Sequence, residues 1–265
     1  MKSKNIVVWD LDSTIIDTNA VFETAQKKVI SRLSDELSKL SINIDPDSEK
    51  EIDALRAVDY EGIKIRGHTA YDHPHQLPLS LLYIYLKRGN KDREINLKEE
   101  YAAAWIANTG LGLAEEIGKE YLEKLDETPK KFTGIEKVLE ESAKRNYNIL
   151  LTEYFGNEEK QYKKINENQL NDYFDKIIAA EKKDSVAIMS AAEYGKLENE
   201  TNGKKFKLVF IDDRSKYLEM AKTAYPFCTT VNVLFGKKEI FRENSNNVDY
   251  TARTVSELSS ILKRI

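Results

Sequence analysis

Short apolar runs that stop at reactive side chains constrain this chain more than any other feature. Ile6-Val7-Val8-Trp9 runs into Asp10-Leu11-Asp12-Ser13-Thr14, and Asn148-Ile149-Leu150-Leu151 runs into Thr152. Lys176-Ile177-Ile178-Ala179-Ala180 leads to Glu181-Lys182-Lys183, and Leu208-Val209-Phe210-Ile211 to Asp212-Asp213. Such runs predict strands buried on both faces, the kind found in parallel sheets. A further run, Thr229-Thr230-Val231-Asn232-Val233, reads as another strand. Between the runs, apolar residues recur at helical spacing. That alternation predicts an α/β fold: a Rossmann-like parallel sheet with helices on both faces, built from right-handed crossovers. Ligands bind outside the carboxyl ends of strands in open α/β sheets. Side chains far apart in sequence would therefore gather on one edge.

Asp10 and Asp12 lie two residues apart and repel unless a cation neutralises them. An all-oxygen site of this kind suits Mg2+, which binds through one or two carboxylates plus phosphate oxygens. Taken alone, Asp-x-Asp after a strand also fits a turn or the cap of the next helix. What favours a site is the convergence of the other reactive strand ends.

The stretch 17–127 has a different character. Phe22, Ala25, Val29, Leu33, Leu37 and Leu40 recur at spacings of three and four. Further helices are expected at 48–58, 78–88 (ended by Gly89-Asn90), 97–107 and 113–125. This predicts an all-helical domain at 17–127 inserted into an α/β core made of 1–16 and 128–265. The run 79–86 and Trp105 are expected in the helical core. His68, His73 and His75 cluster within eight residues; they fit either a zinc site or a polar loop around Pro74. Lys64, Arg66 and His68 are alternatives for substrate recognition. In the core, Thr133-Gly134-Ile135-Glu136 has the form of a capping box, and Asn146 reads as the stop of the helix that follows. Asp184 or Ser185 would cap a helix that ends at Gly195, followed by a polar linker at 196–205. Thr254 would cap the last helix.

The totals exclude several classes. With 265 residues, 41% of them hydrophobic and 32% charged, the chain has ample material for a core. A formal net charge of -4 argues against a general nucleic-acid binder. No apolar run approaches the ~18 residues of a membrane span. Cys228 is the only cysteine, so there is no disulfide framework and no cysteine-rich zinc site. The first strand begins within five residues of Met1, which is expected to leave no room for a signal peptide. A cytoplasmic monomer or homodimer is expected, without nucleic-acid or membrane partners.

These residues resemble the haloacid dehalogenase superfamily of phosphohydrolases. Asp10-Leu11-Asp12-Ser13-Thr14 is similar to its first motif, D-x-D-x-T. Thr152 fits the second motif, Lys183 the third with Lys182 as the alternative, and Ile211-Asp212-Asp213 the acidic fourth. One departure is Glu153-Tyr154, where many relatives have Asn-Gly. The resemblance implies that the helical insertion is a C1 cap. It implies Asp10 as nucleophile, Asp12 as acid and base, and Thr152 and Lys183 as phosphate clamps. Leu11 and Glu153 would adjoin the substrate, and Asp10, Asp12 (through its backbone carbonyl), Asp212 and Asp213 would hold Mg2+. The implied activity is hydrolysis of a small phosphorylated metabolite through an aspartyl-phosphate. Phosphoryl transfer to a sugar hydroxyl, as in a mutase, uses the same aspartates, and a non-catalytic binding protein on this fold is the third possibility. Haloacid dehalogenases themselves lack the second acid that Asp12 supplies.

Overall fold

Along β1 (Asn5–Trp9) side chains alternate between two cores. Val7 and Trp9 join Leu150, Val209, Ile211, Val231 and Val233 on one face, while Ile6 and Val8 join Ile149, Leu151, Leu208 and Phe210 on the other. A strand covered on both faces has no reason to be polar at any position, which is why the run reads as continuous. The computed structural model from which these contacts come describes residues 5–66, 75–92, 103–104, 106–154, 157–200, 207–236 and 248–265.

β1 pairs in parallel with β2 (Asn146–Glu153) and β4 (Leu208–Asp212). β3 (Lys176–Ala180), β5 (Thr229–Val233) and β6 (Tyr250–Ala252) complete a six-stranded parallel sheet in the order β3-β2-β1-β4-β5-β6. The sequence does not announce β6, because its three residues are exposed except for Ala252. Asn148 is a buried polar residue within β2, and both ends of its amide are hydrogen-bonded. Its Oδ1 accepts from Trp9 Nε1 at 3.2 Å and Ser142 Oγ at 2.8 Å, and its Nδ2 donates to the Tyr173 carbonyl at 3.1 Å.

The chain divides into two compact units, Met1–Asn19 with Thr128–Ile265, and Ala20–Glu127. The second unit contains α1 (Thr18–Ser38, which starts in the first), α2 (Glu49–Arg66), α3 (Gln76–Asp92), a π-helical turn (Ile106–Gly110) and α4 (Leu111–Leu125). Its core is Ala25, Val29, Leu33 and Leu37 of α1, packed with Leu55, Leu81, Leu82 and Tyr121. Two helices outrun the sequence reading. α2 continues to Arg66, and α3 passes through Gly89-Asn90 to Asp92, so that pair does not act as a stop. Lys64 and Arg66 fall in α2, whereas His68, His73 and Trp105 lie outside the described residues. No helix among the described residues is long and apolar enough to cross a membrane.

In the first unit, α5 (Ile135–Ala143) and α9 (Val255–Arg264) cover one face of the sheet. α7 (Ser185–Glu200) and α8 (Ser215–Ala224) cover the other, and α6 (Glu158–Glu167) follows β2. Thr254 caps α9, accepting from Glu257 N at 3.1 Å while Glu257 Oε2 accepts from Arg253 N at 2.6 Å. The capping box expected at Thr133 does not form. Gly134 is itself the N-cap, left-handed at φ 85°, and the Glu136 carboxylate is taken by Lys131 instead. Asn146 does not stop α5 either; the helix ends at Ala143, and Asn146 opens β2.

α7 also corrects the sequence reading, since Gly195 does not end it. The glycine is present for lack of a side chain: a Cβ built there would lie 2.7 Å from Ile6 Cγ2. Ile6 is fully buried on the central strand and has nowhere to go. Gly195→Ala should therefore lower stability, because overpacking costs typically 1–3 kcal/mol while the helix-propensity gain is about 1 kcal/mol. A thermal melt checks this; an unchanged or raised Tm would show that Ile6 can repack.

Candidate active site

Parallel register places the carboxyl ends of β1 and β4 side by side. Trp9 pairs with Ile211, and Asp10 N donates to the Ile211 carbonyl at 2.9 Å, so Asp10 and Asp212 emerge next to each other on the same face. Between them sits Lys183, from the loop after β3. Its Nζ lies 2.5 Å from Asp10 Oδ1 and 2.7 Å from Asp212 Oδ2, and only 4% of the residue is exposed. Lys182, the other lysine that the sequence offers, is exposed. Carboxylate oxygens of Asp10, Asp212 and Asp213 all lie within 4.8 Å of one another.

The other Asp10 oxygen accepts from Thr14 Oγ1 at 2.9 Å. Thr14 is held by a tight turn in which Ile15 N and Ile16 N both donate to the Leu11 carbonyl, at 2.9 Å and 3.2 Å. Ser13 takes a left-handed φ of 61° inside this turn. That is a strained choice for a residue with a Cβ, and such strain clusters where geometry matters.

Burial raises the Asp10 carboxyl most, pushing it to about 8; the Lys183 ammonium opposes the rise, and Asp212 and Asp213 reinforce it. Burial alone would favour neutral Lys183, but the charges of Asp10 and Asp212 outweigh it and hold the ammonium above the ordinary lysine range. One lysine thus serves two carboxylates with a third close by. The Arg214 guanidinium adds a second positive charge, facing Asp213 first and then Asp10 and Asp212; the three carboxylates offer hard oxygen donors close enough together to fit a small divalent cation.

Asp12 is held by a different set of groups. Its Oδ1 accepts from Lys164 Nζ at 2.7 Å and Thr18 Oγ1 at 2.6 Å, and its Oδ2 from Gln161 Nε2 at 3.1 Å. Burial works against its ionisation, yet Lys164, with the bonds from Lys164, Thr18 and Gln161, holds the carboxyl below its usual range. Its carboxylate is not in the cluster with Asp10, Asp212 and Asp213, which leaves its backbone carbonyl for the metal role expected of it.

Thr152 lies next to β1 at the end of β2 and is fully buried, with no hydrogen-bond partner for its Oγ1 among the described residues. Orphaned buried hydroxyls are rare in folded proteins and call for an explanation. Glu153 follows it, but its carboxylate is occupied: Oε1 accepts from Lys183 N at 3.1 Å, and Oε2 from Tyr217 OH at 2.7 Å. The Tyr217 ring lies 5.0 Å from Lys183 Nζ. Glu153 thereby buttresses the lysine loop. Leu11 has a fully buried side chain, so only its backbone can face a ligand.

Gln161, Lys164, Tyr217 and Asn232 were not legible as site residues. Gln161 and Lys164 stand one turn apart in a helix that reads as uniformly polar; only their spacing of three could have marked a shared face. Asn232, beside Asp212 in register, has a buried Oδ1 that is also unpartnered.

The comparisons agree with this architecture. No protein of curated function matches the sequence. A protein assigned as a β-phosphoglucomutase from Thermotoga maritima superposes with TM-score 0.57 at 16% identity, covering 98% of this chain and 99% of that one. A protein assigned as the HAD-hydrolase YfnB from Bacillus subtilis, solved bound to magnesium, gives TM-score 0.57 at 14% identity over 98% and 99% of the two chains. One assigned as a phosphatase from Clostridium acetobutylicum gives 0.53 at 17% identity over 100% of both. At these identities the likeness establishes the fold. The family model for haloacid dehalogenase-like hydrolases matches residues 4–224, which takes in β1 to β4 and every reactive strand end described above. The chain therefore belongs to the haloacid dehalogenase-like hydrolase family.

Proposed function

We propose that this protein is a Mg2+-dependent phosphatase acting on a small phosphorylated metabolite through an aspartyl-phosphate. The observation that carries the reading is the setting of Asp10. Its carboxylate stands at the end of the central strand, oriented by Thr14 and Lys183, beside Asp212 and Asp213. Asp10, Asp212, Asp213 and the Asp12 carbonyl would hold the ion, and bound Mg2+ supplies the positive charge that lets a carboxylate approach an anionic phosphate.

In the first step Asp10 Oδ attacks phosphorus; the new P–O bond forms as the ester P–O bond breaks, and Asp12 gives a proton to the departing oxygen. In the free protein Asp12 is ionised while Asp10 keeps a proton up to about pH 8, so Asp10 has to release its proton before the attack, and Asp12 takes one up, from Asp10 or from water, as the ester binds. Lys183 and the unpartnered Thr152 hydroxyl hold phosphoryl oxygens. In the second step a water attacks phosphorus, Asp12 accepts its proton, and inorganic phosphate leaves with the Asp10 carboxylate restored. The helical unit Ala20–Glu127 enters the chain just after this motif. As a cap it would exclude bulk water and favour small substrates over proteins.

Phosphate release from p-nitrophenyl phosphate and a panel of sugar, nucleotide and small-acid phosphates, in Mg2+ and in EDTA, tests this. Release is expected in Mg2+ and should drop to background in EDTA. A protein that binds Mg2+ yet releases phosphate from no panel member would shift the reading to phosphoryl transfer, then to a binding role.

A further inference from the structure

The two aspartates of the first motif are each given their own lysine, from different parts of the fold. Lys183, after β3, takes Asp10, while Lys164, on α6, takes Asp12. The second pairing is part of a larger arrangement. Lys164 and Gln161 lie three residues apart, hence on one face of α6, and both reach the same carboxylate from that face. Gln161 Nε2 also donates to the Glu153 carbonyl at 2.6 Å, which ties α6 to the end of β2 just past Thr152. Both of its contacts are acceptors, so the amide orientation is determined. α6 is anchored at its start, where Asn157 Oδ1 accepts from Lys160 N at 3.3 Å.

The pair is part-buried, with side chains at 21% and 28%, and the carboxylate it holds is shared with Thr18 and Gln161. A glutamine and a lysine of one helix face thus converge on a single carboxylate at the edge of the site. We propose, on the phosphatase reading above, that Lys164 is a positioning residue: with Gln161 it fixes the Asp12 side chain in the rotamer that faces the departing ester oxygen. Asp12 needs such help. It sits in the strained turn after β1, and of its side-chain partners only Thr18 lies close in sequence.

Leaving-group chemistry separates positioning from mere support. An alkoxide departs badly without a proton, whereas p-nitrophenolate is a stable anion that needs none. The ratio kcat/KM reports only the steps through departure of the leaving group, so the later role of Asp12 with water does not enter it. In Mg2+, Lys164→Met should lower kcat/KM for the best alkyl ester of the panel by about 10- to 100-fold, the range expected when an acid is misplaced. For p-nitrophenyl phosphate the change should stay within about 3-fold, as no proton transfer is lost. Lys164→Arg should restore most of the alkyl-ester rate. An equal fall for both esters, or no fall for either, overturns the proposal. If Lys164→Met does not fold, Lys164→Gln carries the same comparison. A wild-type protein that releases phosphate from neither ester overturns the phosphatase reading, and this proposal with it.

Discussion

Asp10→Asn is expected to abolish phosphate release, with a loss on the order of 10^4-fold or more, as when a covalent nucleophile is removed elsewhere. The substitution keeps the side-chain shape. The amide oxygen can still accept from Lys183, as Asp10 Oδ1 does at 2.5 Å, so Lys183 keeps both neighbours. What disappears is the one carboxylate placed to attack phosphorus. Stability should not fall with activity. Asp10 is buried among like charges, and its carboxyl is raised from 3.8 to about 8, first by burial and then by Asp212 and Asp213 against the pull of Lys183. The folded state therefore keeps this proton to higher pH than the unfolded chain. In EDTA the contribution of Asp10 to wild-type stability should be lost as pH rises from 3.8 towards about 8. The amide has no proton to lose and should flatten that slope. Melting curves in EDTA at several pH values, beside the activity assay, test both halves. Residual activity above a tenth of wild type would remove Asp10 from the nucleophile's role.

Lys183→Met should act on stability as well as on activity. It removes the single ammonium held between Asp10 and Asp212 and leaves two buried carboxylates facing each other, with Asp213 nearby. Breaking a buried pair by deleting one partner costs about 3–5 kcal/mol. At roughly 2–4 °C per kcal/mol for a domain of this size, Tm in EDTA should fall by about 6 °C or more. The stranded carboxylates are the proposed cation ligands, so Mg2+ should recover much of the loss, because a ligand that binds only the folded state stabilises it in proportion to its occupancy. Activity should stay low even in Mg2+, since the clamp on the phosphoryl oxygens is gone. A Tm insensitive to the substitution would mean that the three carboxylates are not electrostatically crowded. A fall in Tm that Mg2+ does not reverse would argue that the cluster is not a cation site.

The sheet was legible because a strand buried on both faces is mostly apolar, and the apolar runs within β1, β2 and β4 follow that tendency, with β3 and β5 weaker examples. Their reactive ends were legible for the same reason. Asp10, Thr152, Lys183 and Asp212 are polar residues at or just past the carboxyl ends of strands, and a parallel sheet allows only one edge for all of them. Helix ends were less legible, because local signals lost to packing. Gly195 reads as a stop but is a contact with Ile6. Thr133 reads as a cap, but Lys131 has already taken Glu136.

What the sequence by itself determined is the set of reactive groups and the edge on which they meet, since both follow from chain direction and from the cost of burying polar atoms. Which group faces which was decided only in three dimensions. Asp10 and Asp12 are both carboxylates after one strand, yet the register of β1 against β4 puts Asp10 beside Asp212, with Lys183 between them, while the turn at Ser13 leaves Asp12 to Lys164 and Gln161. Glu153, expected beside the substrate, accepts from Lys183 N and Tyr217 OH. Pairings such as these depend on distances between elements far apart in the chain, and no local pattern of residues encodes a distance.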